Sequence, residues 1–378
     1  MKKLMAFALA TMMVVSLAAC GGGEKAADTP SEAPATEEAK TEETAADDAA
    51  EAPAGDAAPA EEGGADATEV TAGVCIYKYD DTFMSGVRDA IQKRGDALGA
   101  TINMSDSQNS QPTQNDQVQL YLTQGANVLI LNPVDRTAAG TLIDNAKGKD
   151  VPVVFINREP LEEDMAKWDR VYYVGAKAED SGTIQGEIIV DYFKANPDAD
   201  LNGDGKIQYA LLTGEPGHQD AELRSEYVVK AMTDGGFEVE SVAEDTAMWD
   251  RVKGQEKMAA FLTSTDNIEV VIANNDDMAL GAIEALKAAG YFGADGKYMP
   301  VVGVDATSPA IEAVKDGTML GTVLNDSVNQ GTASVNVAVA AAQGKEITSD
   351  SIGYEMTGTQ YVWIPYVKVV KENVDTMG

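Results

Sequence analysis

The chain has 378 residues, 62 acidic against 28 basic side chains, a single His and two Cys, for a formal net charge of −34. That balance excludes a nucleic-acid partner, because phosphate-backbone binding needs clustered Lys and Arg to displace counterions. The length accommodates two domains at roughly 100 to 200 residues each, and 44% apolar residues supply a sizeable core.

Residues 1 to 20 open on Met1-Lys2-Lys3, continue through the apolar run Leu4 to Ser16, and end in Leu17-Ala18-Ala19-Cys20. About thirteen apolar residues are too few to cross a ~30 Å hydrocarbon layer, so the segment reads as a signal peptide rather than a membrane span. Leu-Ala-Ala-Cys resembles a bacterial lipobox, which places a lipid anchor on Cys20. Two acyl chains hold a protein durably at a membrane where one does not. Residues 21 to 71 consist mostly of Ala, Glu, Asp, Pro, Thr and Gly with few large apolar side chains, a composition that cannot offset its own ordering entropy. This is expected to be a disordered acidic linker reaching ~40 Å as a coil. Such a tether favours the surface of a thick-walled, single-membrane bacterium over a periplasm. With Cys20 lipidated, Cys75 is the remaining thiol, and its setting Gly73-Val74-Cys75-Ile76-Tyr77 reads as a buried strand.

From residue 72 onward, short β-branched runs recur at helical intervals. Val74 to Tyr77, Asn127 to Leu131, Val151 to Ile156, Val171 to Val174, Ile207 to Leu212, Glu238 to Val242, Glu269 to Ala273, Pro300 to Val304 and Gly321 to Leu324 are the predicted strands. Met84 to Leu98, Asp116 to Gln124, Ala138 to Lys147, Ser181 to Lys194, Asp220 to Thr233, Lys253 to Thr263 and Met278 to Ala289 carry helical spacing. Strands buried on both faces and alternating with helices predict an α/β fold with parallel sheets and right-handed crossovers. The length favours two doubly wound lobes over one.

In such sheets ligands sit beyond the carboxyl ends of the strands. Those positions hold Asp80-Asp81-Thr82-Phe83, Asn157-Arg158-Glu159, Gly214 to Asp220 with His218, Met248-Trp249-Asp250, Asn274-Asn275-Asp276, Asp305 and Asn325-Asp326. Carboxylates, amides, one imidazole and two aromatics collect there, without a glycine-rich phosphate fingerprint. The expected ligand is polar, uncharged and rich in hydroxyls, since carboxylates and amides each take two hydroxyl bonds and aromatic planes cover the C–H faces of a sugar ring. Taken singly, each Asp or Asn reads equally well as a helix cap, His218 as a turn residue and Trp249 as core.

Asp200-Leu201-Asn202-Gly203-Asp204-Gly205-Lys206-Ile207-Gln208 matches nine positions of a calcium loop, with oxygen side chains at 1, 3, 5 and 9, Gly at 6 and a backbone carbonyl at 7. Position 12 is Leu211, so the closing carboxylate is missing. Either this is a metal-free Asx-rich turn, or a Glu arrives from elsewhere in the fold.

The runs Ile76 to Met84, Gly214 to Glu222, Asp245 to Asp250, Val271 to Asp276, Gly303 to Ala306 and Gly321 to Asp326 resemble the periplasmic galactose/glucose-binding proteins, type I periplasmic binding proteins that serve as sugar receptors of ABC importers. The resemblance spans residues 72 to 370. It implies an N-terminal lobe of residues 72–176 and 326–363, a C-terminal lobe of residues 177–325 and 364–378, and three hinge crossovers. It places the sugar contacts on Asp81, Phe83, Asn157, His218, Asp220, Arg224, Trp249, Asn275, Asp305 and Asn325, with Phe83 and Trp249 as plates around the ring. It also implies calcium on Asp200, Asn202, Asp204, the Lys206 carbonyl and Gln208, closed by Glu269. Gln219 stands where that family has Pro, and the loop from Tyr291 to Met299 is extended.

The expected function is an extracytoplasmic, monomeric binding lipoprotein that captures D-galactose or D-glucose and delivers it to a membrane permease. The alternative is a sensor presenting the closed form to a chemoreceptor or histidine kinase. Catalysis on a glycoside by Asp81, Asp220 and Asp305 is disfavoured, since a site gripping every hydroxyl stabilises the ground state. A repressor on the same lobes lacks its DNA-binding headpiece.

Overall fold

The computed structural model describes residues 69–294 and 296–377. The expected signal peptide, the expected lipidation site Cys20 and nearly all of the expected acidic linker lie outside the described residues. Folding begins slightly ahead of the linker's expected end at residue 71: Val70 is already buried and Thr71 opens the first strand.

In chain order the elements are β1 (Thr71–Ile76), α1 (Thr82–Ala97), β2 (Thr101–Asp106), α2 (Gln111–Gln124), β3 (Val128–Leu131), α3 (Ala139–Lys147), β4 (Val153–Ile156), α4 (Glu162–Met165) and β5 (Val171–Gly175). They continue with α5 (Ala178–Ala195), β6 (Lys206–Thr213), α6 (Gln219–Asp234), β7 (Glu238–Thr246), α7 (Arg251–Ser264), β8 (Val270–Ala273), α8 (Asp276–Ala288), β9 (Val301–Val302), α9 (Ser308–Asp316) and β10 (Gly321–Leu324). The last are α10 (Ser327–Ala342), α11 (Ser349–Ile352), β11 (Met356–Thr357), β12 (Tyr361–Trp363) and β13 (Val367–Val370). Among the described residues no helix is long and apolar enough to cross a membrane.

The strands form two sheets, one ordered β11-β12-β5-β4-β3-β1-β2 and the other β13-β10-β9-β8-β6-β7. Pairing is parallel except for β11 with β12 and β13 with β10. Four apolar clusters cover the two faces of each sheet, as two-sided burial of parallel strands requires. Cys75 sits within one of them, fully buried, and burial pushes its thiol up to about 12. The chain passes between the sheets three times: from β5 into α5, from β10 into α10, and from β12 into β13 through Ile364-Pro365-Tyr366.

In each sheet the first strand of the lobe lies between the next two, β1 between β2 and β3 and β6 between β7 and β8. These are the topological switch points, where diverging crossovers leave a crevice at the carboxyl ends of the strands. The turn after β1 carries Asp81 and that after β6 carries Gly214 to Asp220.

Candidate ligand-binding site

One cavity of about 360 Å³, its mouth included, lies between the lobes and is lined by Tyr77, Asp81, Phe83, Met84, Asn157, Arg158, His218, Asp220, Arg224, Trp249, Asn275, Asp305 and Asn325. All ten side chains expected to contact a ligand border it.

Helix capping and site formation are here one arrangement. Asp81 Oδ1 accepts from Met84 N at 2.8 Å to start α1, His218 Nδ1 accepts from Asp220 N at 3.1 Å to start α6, and Asn275 Oδ1 accepts from Met278 N at 3.0 Å to start α8. Each thereby closes an orphan donor of its helix and is fixed at the cavity wall. Asp250 and Asp326 cap α7 and α10 without bordering the cavity, so for them capping is the whole role on view.

The cap on α6 also fixes the state of His218. Burial, with Arg158, Arg224 and Arg136 behind it, holds its imidazole well below the usual range, so the ring is neutral. With Nδ1 accepting from Asp220 N, the proton resides on Nε2, and the ring is a donor there. Arg224 is buried, donates to the Asn274 carbonyl at 2.8 Å and to Tyr366 Oη at 3.0 Å, and pairs with Asp220 at 3.4 Å. Burial works against its charge, but Tyr366, Asp220 and Asp305 more than offset it. Burial raises the carboxyls of Asp220 and Asp305 against the pull of Arg224. Asn325 Nδ2 donates to Asp305 Oδ1 at 3.2 Å and is itself held by Gln330 from α10 at 2.6 Å.

Five of the ten non-glycine residues with positive φ among the described residues lie at or beside the cavity. Asn157 (φ 65°), Met248 (56°), Trp249 (62°), Asp305 (119°) and Ala306 (51°) all adopt left-handed or otherwise positive φ values. Such residues cost on the order of 1 to 3 kcal/mol each and persist where the surroundings impose them, commonly at functional sites. Gly214 explains how Trp249 is seated: a Cβ there would lie 2.0 Å from the indole Cζ2. The indole Nε1 and Arg224 Nε are buried with no hydrogen-bond partner, an arrangement that an oxygen-rich guest would relieve.

The lobes touch across the cleft on both flanks of the cavity. Arg158 pairs with Glu215 at 3.0 Å, Asn109 donates to Glu215 at 3.3 Å, and Gln219 donates to Glu159 at 3.1 Å. On the opposite flank Thr82 donates to Asp277, which Arg251 grips through two nitrogens at 3.0 and 2.6 Å. Three further residues line the cavity beyond the ten expected contacts: Arg158, which the strand-end position named beside Asn157, Tyr77, which reads as part of a buried strand, and Met84, which reads as the start of a helix.

The metal-loop residues lie far from this network, at the opposite, amino end of β6. Gly203 (φ 74°) and Gly205 (φ 80°) make the sharp turn, and Glu269 accepts from Leu201 N at 2.6 Å and Gln208 N at 3.1 Å. Glu269 thus reaches the loop from outside it. Gln208 Oε1 is buried without a partner, and every offered ligand is a hard oxygen. Burial, then the nearby Asp200 and Asp204, raise Glu269, while the two backbone N–H groups oppose them. Among the described residues no group of three His, Cys, Asp or Glu side chains is arranged to hold a metal ion, so a cation here depends on amide and backbone oxygens as well. The residues fit a hard cation by chemistry.

The model of the family described as "Periplasmic binding protein domain" matches residues 72–346. The chain is 46% identical over 311 residues, 82% of its length and 92% of the relative's, to the D-galactose/methyl-galactoside binding periplasmic protein MglB of Haemophilus influenzae. It is 31% identical to the ribose import binding protein RbsB of Salmonella typhimurium over 73% of this chain and 86% of that one. Among solved structures, an ABC transporter solute-binding protein from Bacillus halodurans with bound myo-inositol superposes with a TM-score of 0.69 at 31% identity, covering 82% of this chain and 98% of that one. The chain therefore belongs to the periplasmic binding protein family, as a solute-binding protein of the ABC-transporter type with two α/β lobes.

Proposed function

We propose that the interlobe cleft captures a neutral hexose, D-galactose or D-glucose, and that the closed complex is delivered to a membrane permease. The observation that carries this reading is a single cavity bordered by carboxylates, amides, a neutral imidazole and a buried guanidinium together with Phe83 and Trp249. Acids and amides accept and donate to ring hydroxyls, and aromatic faces cover C–H surfaces. The similarity to the galactose/methyl-galactoside binding protein favours a hexopyranose.

Asp81, Phe83 and Asn157 belong to the lobe built on β1, and His218, Asp220, Arg224, Trp249, Asn275 and Asp305 to the lobe built on β6; Asn325 stands at the second crossover. A ligand touching both lobes favours the closed state by its differential affinity, with the cross-cleft contacts adding to it. The chain is proposed to be lipidated at Cys20 and to work outside the membrane on its acidic tether, with calcium on Asp200, Asn202, Asp204, the Lys206 carbonyl, Gln208 and Glu269 as a structural ion. That ion supplies charge neutralisation and a cross-link between the loop and Glu269.

Calorimetric titration of D-galactose and D-glucose into the wild type and Asp220→Ala tests the reading. Breaking a buried charge-assisted contact costs roughly 2 to 5 kcal/mol, so the variant is expected to lose thirty-fold or more in affinity (~1.4 kcal/mol per tenfold). Unchanged affinity in Asp220→Ala removes that residue from the site, and no heat in the wild type removes the sugar.

A further inference from the structure

We infer that Tyr77 is a positioning residue that fixes the orientation of Asp81 towards a sugar hydroxyl, and that Arg158 and Glu215 tie this orientation to lobe closure. The inference rests on the sugar reading of the cleft. Tyr77 is the residue following β1, is 2% exposed and borders the cavity. Its hydroxyl donates to Asp81 Oδ2 at 2.5 Å, while Asp81 Oδ1 accepts from Met84 N at 2.8 Å. Both carboxylate oxygens are thus pinned by donors from two directions. A carboxylate offers about four lone-pair sites, so the two remaining have fixed bearings rather than the freedom of a rotating side chain. The configuration of a ring carbon then sets how well its hydroxyl meets such a site, so two epimers at that carbon are held with different strength.

The tyrosine is itself held from the other side. The Arg158 guanidinium lies 3.7 Å over its ring, donates to the Val134 carbonyl at 2.9 Å and pairs with Glu215 of the opposite lobe at 3.0 Å. Glu215, Arg158, Tyr77 and Asp81 therefore form one continuous series running from the far lobe to the cavity wall. Burial raises the Tyr77 hydroxyl, which keeps its proton and remains a donor to Asp81. When the lobes part, Arg158 loses Glu215 and Tyr77 loses the rigidity of its cover, so Asp81 is held most firmly in the closed state. Selection among epimers then accompanies closure, with Glu215 supporting it from outside the cavity lining.

The test uses Tyr77→Phe, which keeps the ring under Arg158 and deletes only the donor. Wild type, Tyr77→Phe and Glu215→Gln are titrated with D-glucose and three epimers, D-galactose, D-mannose and D-allose, each inverted at a different carbon. Thermal unfolding of the sugar-free proteins checks that all three are folded. In Tyr77→Phe the affinity ratio to D-glucose is expected to move about threefold or more for one epimer and to stay fixed for the other two. In Glu215→Gln the ratio for that same epimer is expected to move in the same direction by a smaller factor, and ratios that stay fixed overturn the link to closure. A uniform fall in Tyr77→Phe, which a packing role alone produces, overturns the inference, as does an unchanged panel. If the wild type binds none of the four, the sugar reading falls first and this inference with it.

Discussion

Gly214 and Trp249 show how one missing atom shapes the cavity. The indole occupies the space a Cβ would need, and Trp249 takes a positive φ to present it there. Gly214→Ala is expected to cost ~1 to 3 kcal/mol of stability, the usual penalty for forcing a methyl into a filled site, and by displacing the indole to weaken sugar binding; thermal unfolding and the same titrations measure the two effects. Asp276 gives a second prediction. It is fully buried at the start of α8, accepts from Thr322 Oγ1 at 2.6 Å and Thr307 N at 2.7 Å, and burial pushes it up to about 7. Between the ordinary carboxylate range and pH 7 the folded chain keeps a proton that the unfolded chain has released, so its contribution falls as pH rises through that window, by up to roughly 1 kcal/mol per pH unit. Asp276→Asn is expected to flatten the dependence of melting temperature on pH between about 4 and 7; an unaltered slope would show that Asp276 titrates normally. At this scale the sequence was most informative where a residue's place at a strand end announced it, as for Asp81, His218 and Asn275. Tyr77 was illegible because an aromatic closing a buried strand reads as core, whereas Arg158 was named at its strand end beside Asn157 but not counted among the ligand contacts.

Among the elements, the predicted strands and helices agree with the structure where apolar runs are long and two-sided. β2 escaped because Thr101 to Asp106 lies at a sheet edge, where its exposed and half-buried side chains give no apolar run. α10 escaped for the opposite reason: its Val and Ala residues are buried almost all round, which blurs helical periodicity. In the loop proposed for calcium the nine-residue pattern is local, whereas Glu269 is remote in sequence and enters only through the resemblance. Both oxygens of Glu269 receive loop and strand N–H groups, so calcium there would join the entrance of β6 to that of β8. Removing calcium with a chelator is expected to lower the melting temperature of the sugar-free protein, and adding it back to restore it. A melting temperature indifferent to both would leave the turn as a metal-free Asx structure.

At the scale of the whole molecule, the fold follows from alternation of buried strands and helices, but the cleft does not. It arises because the chain crosses between the sheets three times, bringing the switch points of two sheets face to face. Contacts from both flanks, Arg158 with Glu215 and Thr82 with Asp277, join the lobes beside the cavity. The acidity of the chain, −34 overall, suits an uncharged ligand better than an anionic one. A crystal of the protein grown with D-galactose or D-glucose examines this claim most directly. The account predicts one hexose between the lobes, its ring covered by Phe83 and Trp249 and its hydroxyls on Asp81, Asn157, His218, Asp220, Arg224, Asn275, Asp305 and Asn325. A cleft without sugar at saturating concentration, or a sugar bound elsewhere with both aromatic planes turned away, would contradict it.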